Sequence, residues 1–322
     1  MAVSNHEASA IDFQGLDGVF DVKHKKVTAS WVALPGGTKP FSGVMAEAVR
    51  TVAVTSRNAA DDLLVVGYKG HAGYIHKFGG VDLSIDAVMT NNVNESGAFG
   101  FQLSDFDDVL KSGIIVYTTN GTLGRKATIS GLYVNQISFN FNQNAESTTS
   151  WNFVGDGLDW DNYVVSTSGV QGNKDFHCID PLTWDEIHLY DGTNSVLLTG
   201  VQRATIQASI NRQDVFQIGQ FAPYDRAVVR PYKVSVNLDL LANDVRLINW
   251  WDKFRPAYNP DDDCAAGLVI KIRTQPLKDD LLATSYDFII ASGLRPTTST
   301  LNVAVGSNSM TTLAFEGTSL MW

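Results

Sequence analysis

Two stretches of the chain decide its fold, because each is a copy of the other. Residues Ser130–Gly155 read SGLYVNQISFNFNQNAESTTSWNFVG, and residues Ser292–Gly317 read SGLRPTTSTLNVAVGSNSMTTLAFEG. They align without a gap at a spacing of 162 residues, with eight of 26 positions identical. Ordinary amino-acid usage would give about one or two such matches. In a chain of 322 residues this spacing predicts two copies of one domain, at residues 1–160 and 161–322.

Each copy has the pattern of a β-hairpin with one buried face. Phe139 and Phe141 alternate with polar neighbours, and Trp151 and Phe153 do the same after a polar turn. The equivalent apolar residues of the second copy are Leu301, Val303, Leu313 and Phe315. Alternation with a period of two places one set of side chains on one face of a strand. We therefore expect these residues to pack against the body of each domain.

The composition favours a mainly β globular protein. Apolar residues make up 44% of the chain and charged residues 18%, and the chain has seven Trp, sixteen Phe and ten Tyr. Aromatic side chains are enriched in strands. No apolar run approaches the ~18 residues of a membrane-spanning helix. The formal net charge of −10 argues against binding to nucleic acid through its phosphates.

Further repeated segments surround the hairpins. The strand VRTVAVTS at 49–56 has a counterpart within 201–210, although the sequence leaves its register uncertain by one residue. A strand, a long loop and an alternating strand then follow at 63–89 and again at 216–241. A flanking helix is predicted in each copy, after the capping residues Ser104 and Asn243.

No motif for catalysis, cofactor binding or metal binding stands out. His71 and His76 lie in a long loop without further ligands at suitable spacing. His177 and Cys178 are adjacent, so on a strand they point to opposite faces and cannot form a nucleophile–base pair. The acidic run Asp261–Asp263 lacks the glycine turn and distal glutamate of a calcium loop. We therefore predict a structural protein rather than an enzyme, with no cofactor.

The run NRQDVFQIGQFAPYDRAVVRPYKVSVNLDL, which starts at Asn211, resembles tail tube proteins of long-tailed bacteriophages. The residues that carry this resemblance are Arg212, Gly219, Pro223, Tyr224, Arg226 and Pro231. The hairpin that starts at Ser130 also resembles the paired strands of that family. The first copy departs from the pattern, with Gly73 in place of the Pro and His76 in place of the Arg.

The resemblance implies a fold and an assembly. Each half would be a tail-tube-like β-sandwich or barrel domain with one flanking α-helix. Such domains join through a shared sheet into rings of six domains, and the rings stack into a hollow tube that carries DNA. A chain with two domains would form a homotrimeric ring with pseudo-sixfold symmetry. Its partners would be itself, other tail proteins and DNA that passes without specific binding. It would lie in the virion tail, and in the host cytoplasm during assembly.

Two sets of residues follow from this interpretation. The long loops Gly67–Gly80 and Gly219–Arg230 are the candidate contacts between stacked rings or neighbouring chains. The named candidates in these loops are Gly67, Tyr74, His76, Gly219, Pro223, Tyr224, Arg226 and Arg230. The polar alternates of the hairpins are expected to face the lumen, namely Ser138, Asn140, Asn142, Ser150, Asn152, Thr300, Asn302 and Thr312.

Three other functions remain open at this point. A tail terminator, hub or other baseplate ring component would share the fold but stop growing after a few layers. A secretion-system tube of phage-like origin would have the same sequence pattern. A carbohydrate-binding β-sandwich of an adhesin would need an exposed aromatic platform, for which Trp160, Trp184 and Tyr190 are the candidates.

Overall fold

Antiparallel β-structure dominates the computed structural model of the chain, as the composition predicts. The model describes residues 11–12, 27–31, 42–46, 49–57, 59–63, 73–88, 103–107, 110–118, 123–143, 145–164, 186–190, 195–220, 222–241, 268–274, 287–302 and 309–321. The strands are β1 (Ile11–Asp12), β2 (Val27–Trp31), β3 (Ser42–Ala46), β4 (Val49–Ser56), β5 (Ala59–Leu63), β6 (Gly73–Lys77), β7 (Val81–Val88), β8 (Leu110–Thr118), β9 (Leu123–Asn142), β10 (Ala145–Gly155), β11 (Gly157–Val164), β12 (Glu186–Tyr190), β13 (Ser195–Leu198), β14 (Val201–Ser209), β15 (Arg212–Val215), β16 (Asp225–Val228), β17 (Lys233–Leu241), β18 (Leu268–Thr274), β19 (Asp287–Asn302), β20 (Met310–Gly317) and β21 (Ser319–Met321).

One sheet runs through both copies of the repeat. Its eight strands lie in the order β4–β7–β10–β9–β14–β17–β20–β19, and every neighbouring pair is antiparallel. The first four strands come from the first copy and the last four from the second. The two halves join where β9 pairs with β14, with Ile206 opposite Phe139. The repeat is therefore built into one continuous sheet, which we call the central sheet.

The second copy reproduces the first even in its irregularities. The pairing of β9 with β10 shifts by one residue at Asn135, and the pairing of β19 with β20 shifts at Thr297, which is 162 residues later. A second shift occurs at Arg50 on β4 and at the equivalent Gln202 on β14. These β-bulges settle the register that the sequence left uncertain, because they place Val201 over Val49.

Two long strands connect the central sheet to the flanking sheets. The first half of β9 pairs with β8 and β11, and the first half of β19 pairs with β18 and β21. Strands β1, β2 and β3 extend the first flanking sheet, and β12 and β13 extend the second. Each long strand changes sheet at a repeated glycine with positive φ, which is Gly131 (58°) in β9 and Gly293 (65°) in β19.

The alternating apolar residues of the hairpins form the core, with one exception. Buried side chains of the central and flanking sheets belong to one hydrophobic cluster, which includes Phe139, Phe141, Trp151, Phe153, Leu313 and Phe315. The prediction was wrong for Leu301, which is 55% exposed although its equivalent Phe139 is 3% exposed. Leu301 lies on β19, which is the last strand of the central sheet among the described residues, so no described strand lies beyond it. Val303 lies outside the described residues.

The predicted first helix is reduced to one turn. A 3-10 helix spans Leu103–Phe106, and Leu110 already belongs to strand β8. Among the described side chains of this segment, Leu103 and Phe106 supply the buried apolar anchors, and the β-branched run Ile114–Val116 that follows favours a strand. The predicted second helix, after Asn243, lies outside the described residues. A flanking helix of ordinary length is therefore not found in the part of the first copy that the structure describes.

Candidate assembly interface

The polar residues that we expected in a lumen share one face of the central sheet. Ser138 lies opposite both Ser150 and Gln207, and Asn140 lies opposite Thr205, all on the side away from the core. Thr312 pairs with Thr300 in the same way in the second copy. By register, Asn142, Asn152 and Asn302 belong to the same rows. We call this surface the open face.

Acidic and basic side chains on the open face are equal in number, and most of them form ion pairs or hydrogen bonds. The described rows of this face hold five acidic side chains (Asp82, Asp86, Glu146, Asp239 and Glu316) and five basic ones (Arg50, Arg57, Arg203, Lys233 and Arg295). Arg57 is 2.7 Å from Asp82, and the hydroxyl of Thr312 donates to Asp239 at 2.7 Å. Ser150 donates to Asp86 at the equivalent place in the first copy. The negative net charge of the chain is therefore not concentrated in these rows.

The central sheet ends in two unpaired edges among the described residues. The outer edge of β4 exposes part of Val52 and Val54, whereas their equivalents Ala204 and Ile206 on β14 are fully buried. The outer edge of β19 exposes Leu301, whereas its equivalent on β9 is buried. The difference arises because β9 and β14 pair with each other inside the chain. The free edge of β4 is thus equivalent to the edge of β14 in that internal joint, and the free edge of β19 is equivalent to the edge of β9.

Each copy also carries a hairpin arm between its first two central strands. The first arm consists of β5 and β6, and the second arm consists of β15 and β16. The tip of the second arm is apolar and exposed: Phe216 is 59% exposed, Ile218 102% and Tyr224 68%. Gly219 lies at this tip with φ of 90°. A side chain as exposed as Ile218 makes no contact that contributes to folding.

The base of the second arm is anchored on the end of the first copy by Arg226. This side chain is 3% exposed, and its guanidinium lies 2.9 Å from Asp156 of the first copy and 2.9 Å from Asp214 of the arm itself. It also donates to the carbonyl oxygen of Gly155 at 3.3 Å. Arg226 was predicted to contact other chains or rings, but the structure buries it within the chain.

A second arginine of the arm completes this anchor. Arg212 donates to the carbonyl oxygens of Val134 and Asp107, at 3.1 and 3.0 Å. Both guanidinium groups lie over the ring of Tyr133, with Arg212 at 4.8 Å and Arg226 at 5.4 Å from the ring centre. Burial lowers the pKa of Arg212 to about 10, so the group is still charged at neutral pH. We call Arg212 and Arg226, with these partners, the arginine anchor.

Two further contacts tie the second copy to the first. Arg230 lies 2.6 Å from Asp107, and the hydroxyl of Tyr232 donates to the same carboxylate at 2.6 Å. Burial and then this hydrogen bond raise the pKa of Tyr232 to about 12. Burial also raises the pKa of Asp156, although Arg226 opposes the change. Sequence reasoning missed these acidic partners, because Asp107 and Asp156 are far from the arginines along the chain.

The remaining candidates are placed as follows. Tyr74 and His76 lie on β6, opposite Asp62 and Ala60. Counted from β4 and β14, the strand pairing makes Tyr74 rather than His76 the equivalent of Arg226, which corrects the sequence alignment. Pro223 is half-buried beside the exposed Tyr224. Gly67 and Trp184 lie outside the described residues, and Trp160 is 50% exposed on β11.

Within the residues that the structure describes, no group of three or more His, Cys, Asp or Glu could hold a metal ion. None of the helices found there is both long and apolar enough to span a membrane. No protein-family model matches the sequence, and no curated protein matches it.

Proposed function

We propose that the chain is a structural protein of a bacteriophage tail, which assembles head to tail into rings of three chains and then into a hollow tube for DNA. The observation that carries the proposal is the joint between β9 and β14. One copy of the repeat already pairs with the next inside the chain, and the same two edges, on β4 and β19, are unpaired among the described residues. The β4 edge of one chain can therefore pair with the β19 edge of another chain, as β14 pairs with β9 inside the chain.

Head-to-tail joining has only two outcomes. A joint that uses two different surfaces closes into a ring when its rotation closes, and otherwise grows into an open helix. Unpaired edges such as β4 and β19 are also a hazard for uncontrolled pairing, which closure removes. The resemblance to tail tube proteins supplies the number of six copies, and hence three chains in each ring.

The open face supports the role of an inner wall. It is lined by Ser, Thr and Asn side chains, and its acidic and basic groups are equal in number in the described rows. Arg57 is held by Asp82, while Lys233 and Arg295 lie 3.6 and 3.8 Å from Glu316. A wall whose cations already face carboxylates releases few counterions when DNA approaches, so it binds DNA weakly. This suits DNA that slides past.

The apolar arm tip supports stacking of the rings. Soluble proteins seldom leave neighbouring large apolar side chains exposed without a partner. Phe216, Ile218 and Tyr224 project beyond the anchored base of the second arm. We propose that they contact the next ring of the tube.

Negative-stain electron microscopy of the purified full-length chain, together with its mass in solution, tests the proposal. We expect hollow tubes, or rings whose mass equals three chains. Rings that never exceed a few layers would instead favour a terminator or baseplate component. A chain that remains monomeric up to millimolar concentration would contradict the proposal, because both free edges would then be stable without partners.

A further inference from the structure

The joint within the chain has a definite charge polarity. The second arm brings two cations, Arg212 and Arg226, to the end of the first copy, and that end supplies Asp156, Asp107 and the ring of Tyr133. Both cations therefore lie on the arm, and apart from Asp214 of the arm itself, their partners named here lie on the body of the neighbouring copy. Arg226 is buried, so loss of its ionic partners should cost more than loss of a surface ion pair.

Two equivalent positions at the free end of the second copy differ in charge from those of the first copy. At the spacing of 162, Arg295 takes the place of Tyr133 and Thr318 takes the place of Asp156. The cation is now on the body, and its side chain is 69% exposed, whereas Tyr133 is 8% exposed. The nearest described carboxylate is Glu316, 3.8 Å away, which also faces Lys233.

The first arm lacks both cations of the second arm. Counted from β4 and β14, Ala60 takes the place of Arg212 and Tyr74 takes the place of Arg226. The arm carboxylate remains, because Asp62 takes the place of Asp214. The first arm thus has an acidic residue and neither arginine at the positions that form the anchor in the second arm.

We propose that the first arm of one chain docks across the joint between chains, on the end of the second copy of its neighbour, where Asp62 faces Arg295. These differences in charge then make the arms non-interchangeable. A second arm placed on the end of a second copy would bring Arg226 close to Arg295, without the carboxylate that Asp156 supplies in the internal joint. Copies therefore alternate around the ring. This inference rests on the proposed ring, and it names the partner as another copy of this chain.

Charge reversal in the full-length chain tests the inference. Arg295→Glu and Asp62→Arg should each raise the protein concentration needed for trimers about tenfold or more, as close charge pairs across interfaces do. Arg295→Glu combined with Asp62→Arg should restore assembly to within about threefold of the wild type, because the attraction is re-formed with its sign reversed. Sedimentation measures the trimer fraction, and circular dichroism checks the fold of each monomer.

Two matched controls separate this contact from a general effect of charge. Lys233→Glu makes the same charge change beside the same Glu316, but on β17 inside the sheet rather than on its edge strand. Asp61→Arg makes the same change as Asp62→Arg one residue earlier on β5, at the position that pairs with Ile75 rather than Tyr74. Both controls should assemble within about threefold of the wild type.

The possible results distinguish this inference from the proposed function. Trimers that are insensitive to Arg295→Glu, or a double variant that assembles no better than the single ones, would overturn the docking of the first arm and leave the ring standing. An Asp61→Arg effect as large as that of Asp62→Arg would overturn it also. A wild-type chain that never forms trimers would overturn the ring and, with it, this inference.

Discussion

At the scale of single residues, the two long strands depend on glycine where they change sheet. Gly131 and Gly293 have φ of 58° and 65°, a conformation that costs other residues about 1–2 kcal/mol. Their surroundings differ, however. A Cβ at Gly131 would overlap the carboxylate of Asp156, whereas a Cβ at Gly293 would lie 3.3 Å from the hydroxyl oxygen of Thr318. Asp156, which crowds Gly131, is also the residue that forms the ion pair with Arg226.

Gly131→Ala should therefore cost more stability than Gly293→Ala. We expect Gly293→Ala to lower the free energy of unfolding by about 1–2 kcal/mol, the cost of the backbone conformation alone. Gly131→Ala should lower it by about 3 kcal/mol or more, because Asp156 must also move away from the buried Arg226. Urea unfolding of the two variants under conditions that keep the chain monomeric measures both values. Equal losses would show that Asp156 adjusts without cost.

At the scale of elements, each arm combines an anchored base with a free tip. The base of β15 and β16 is held by the buried Arg226 and the partly buried Arg212, so the tip is presented in a fixed direction. Because folding does not use the tip residues, a change there should affect assembly and leave the monomer intact. This separation of roles allows stacking to be tested apart from ring formation.

Ile218→Asp should leave the thermal midpoint of the monomer unchanged, because this side chain is 102% exposed. It should shorten the tubes to single rings or short stacks. Burying one Ile contributes about 1.5–3 kcal/mol, so each ring-to-ring contact should weaken roughly tenfold or more. Electron microscopy gives the length distribution. Gln217→Asp adds the same charge at a neighbouring exposed position without removing an apolar side chain, and should leave tubes much longer than Ile218→Asp does. Full-length tubes from Ile218→Asp would exclude the tip from stacking.

At the scale of the whole molecule, the repeat predicts the register of the joint between chains. Gln207 lies opposite Ser138 in the internal joint, and the equivalent residues of the free edges are Thr55 and Thr300. Directly opposed residues of antiparallel strands have Cβ atoms about 4.5–5.5 Å apart, which is near the reach of a disulfide. A cysteine at each position should therefore link neighbouring chains on oxidation.

Thr55→Cys with Thr300→Cys, in a chain whose Cys178 and Cys264 are changed to Ser, should oxidise to covalent trimers that run as one band on a denaturing gel. A closed ring of three stops there, whereas an open helix would give a ladder of larger products. Thr51→Cys with Thr300→Cys is the control, because four residues along a strand add about 13 Å. Efficient linking in the control, or none in the matched pair, would contradict the register.

Much of the fold could be read from particular residues. The alternation of Phe139, Phe141, Trp151 and Phe153 predicted which side chains are buried, since a period of two leaves one face for the core. The repeat predicted hairpins that the structure reproduces down to their bulges. The prediction of a helix after Ser104 was wrong, because a capping signal does not outweigh the β-branched strand that follows.

The sequence predicted the strands of the central sheet, most of their buried residues and the duplication, because these depend on periods of two along the chain and on a fixed spacing of 162 residues. Only the tertiary structure decided that the two copies share one sheet, that Leu301 is exposed and that Arg226 is buried against Asp156. These facts depend on which edges meet and on contacts between residues about 70 positions apart, and no local pattern encodes such pairings. The same distinction underlies the proposed assembly: local patterns shape each edge, and only the fold reveals that two complementary edges are unpaired among the described residues.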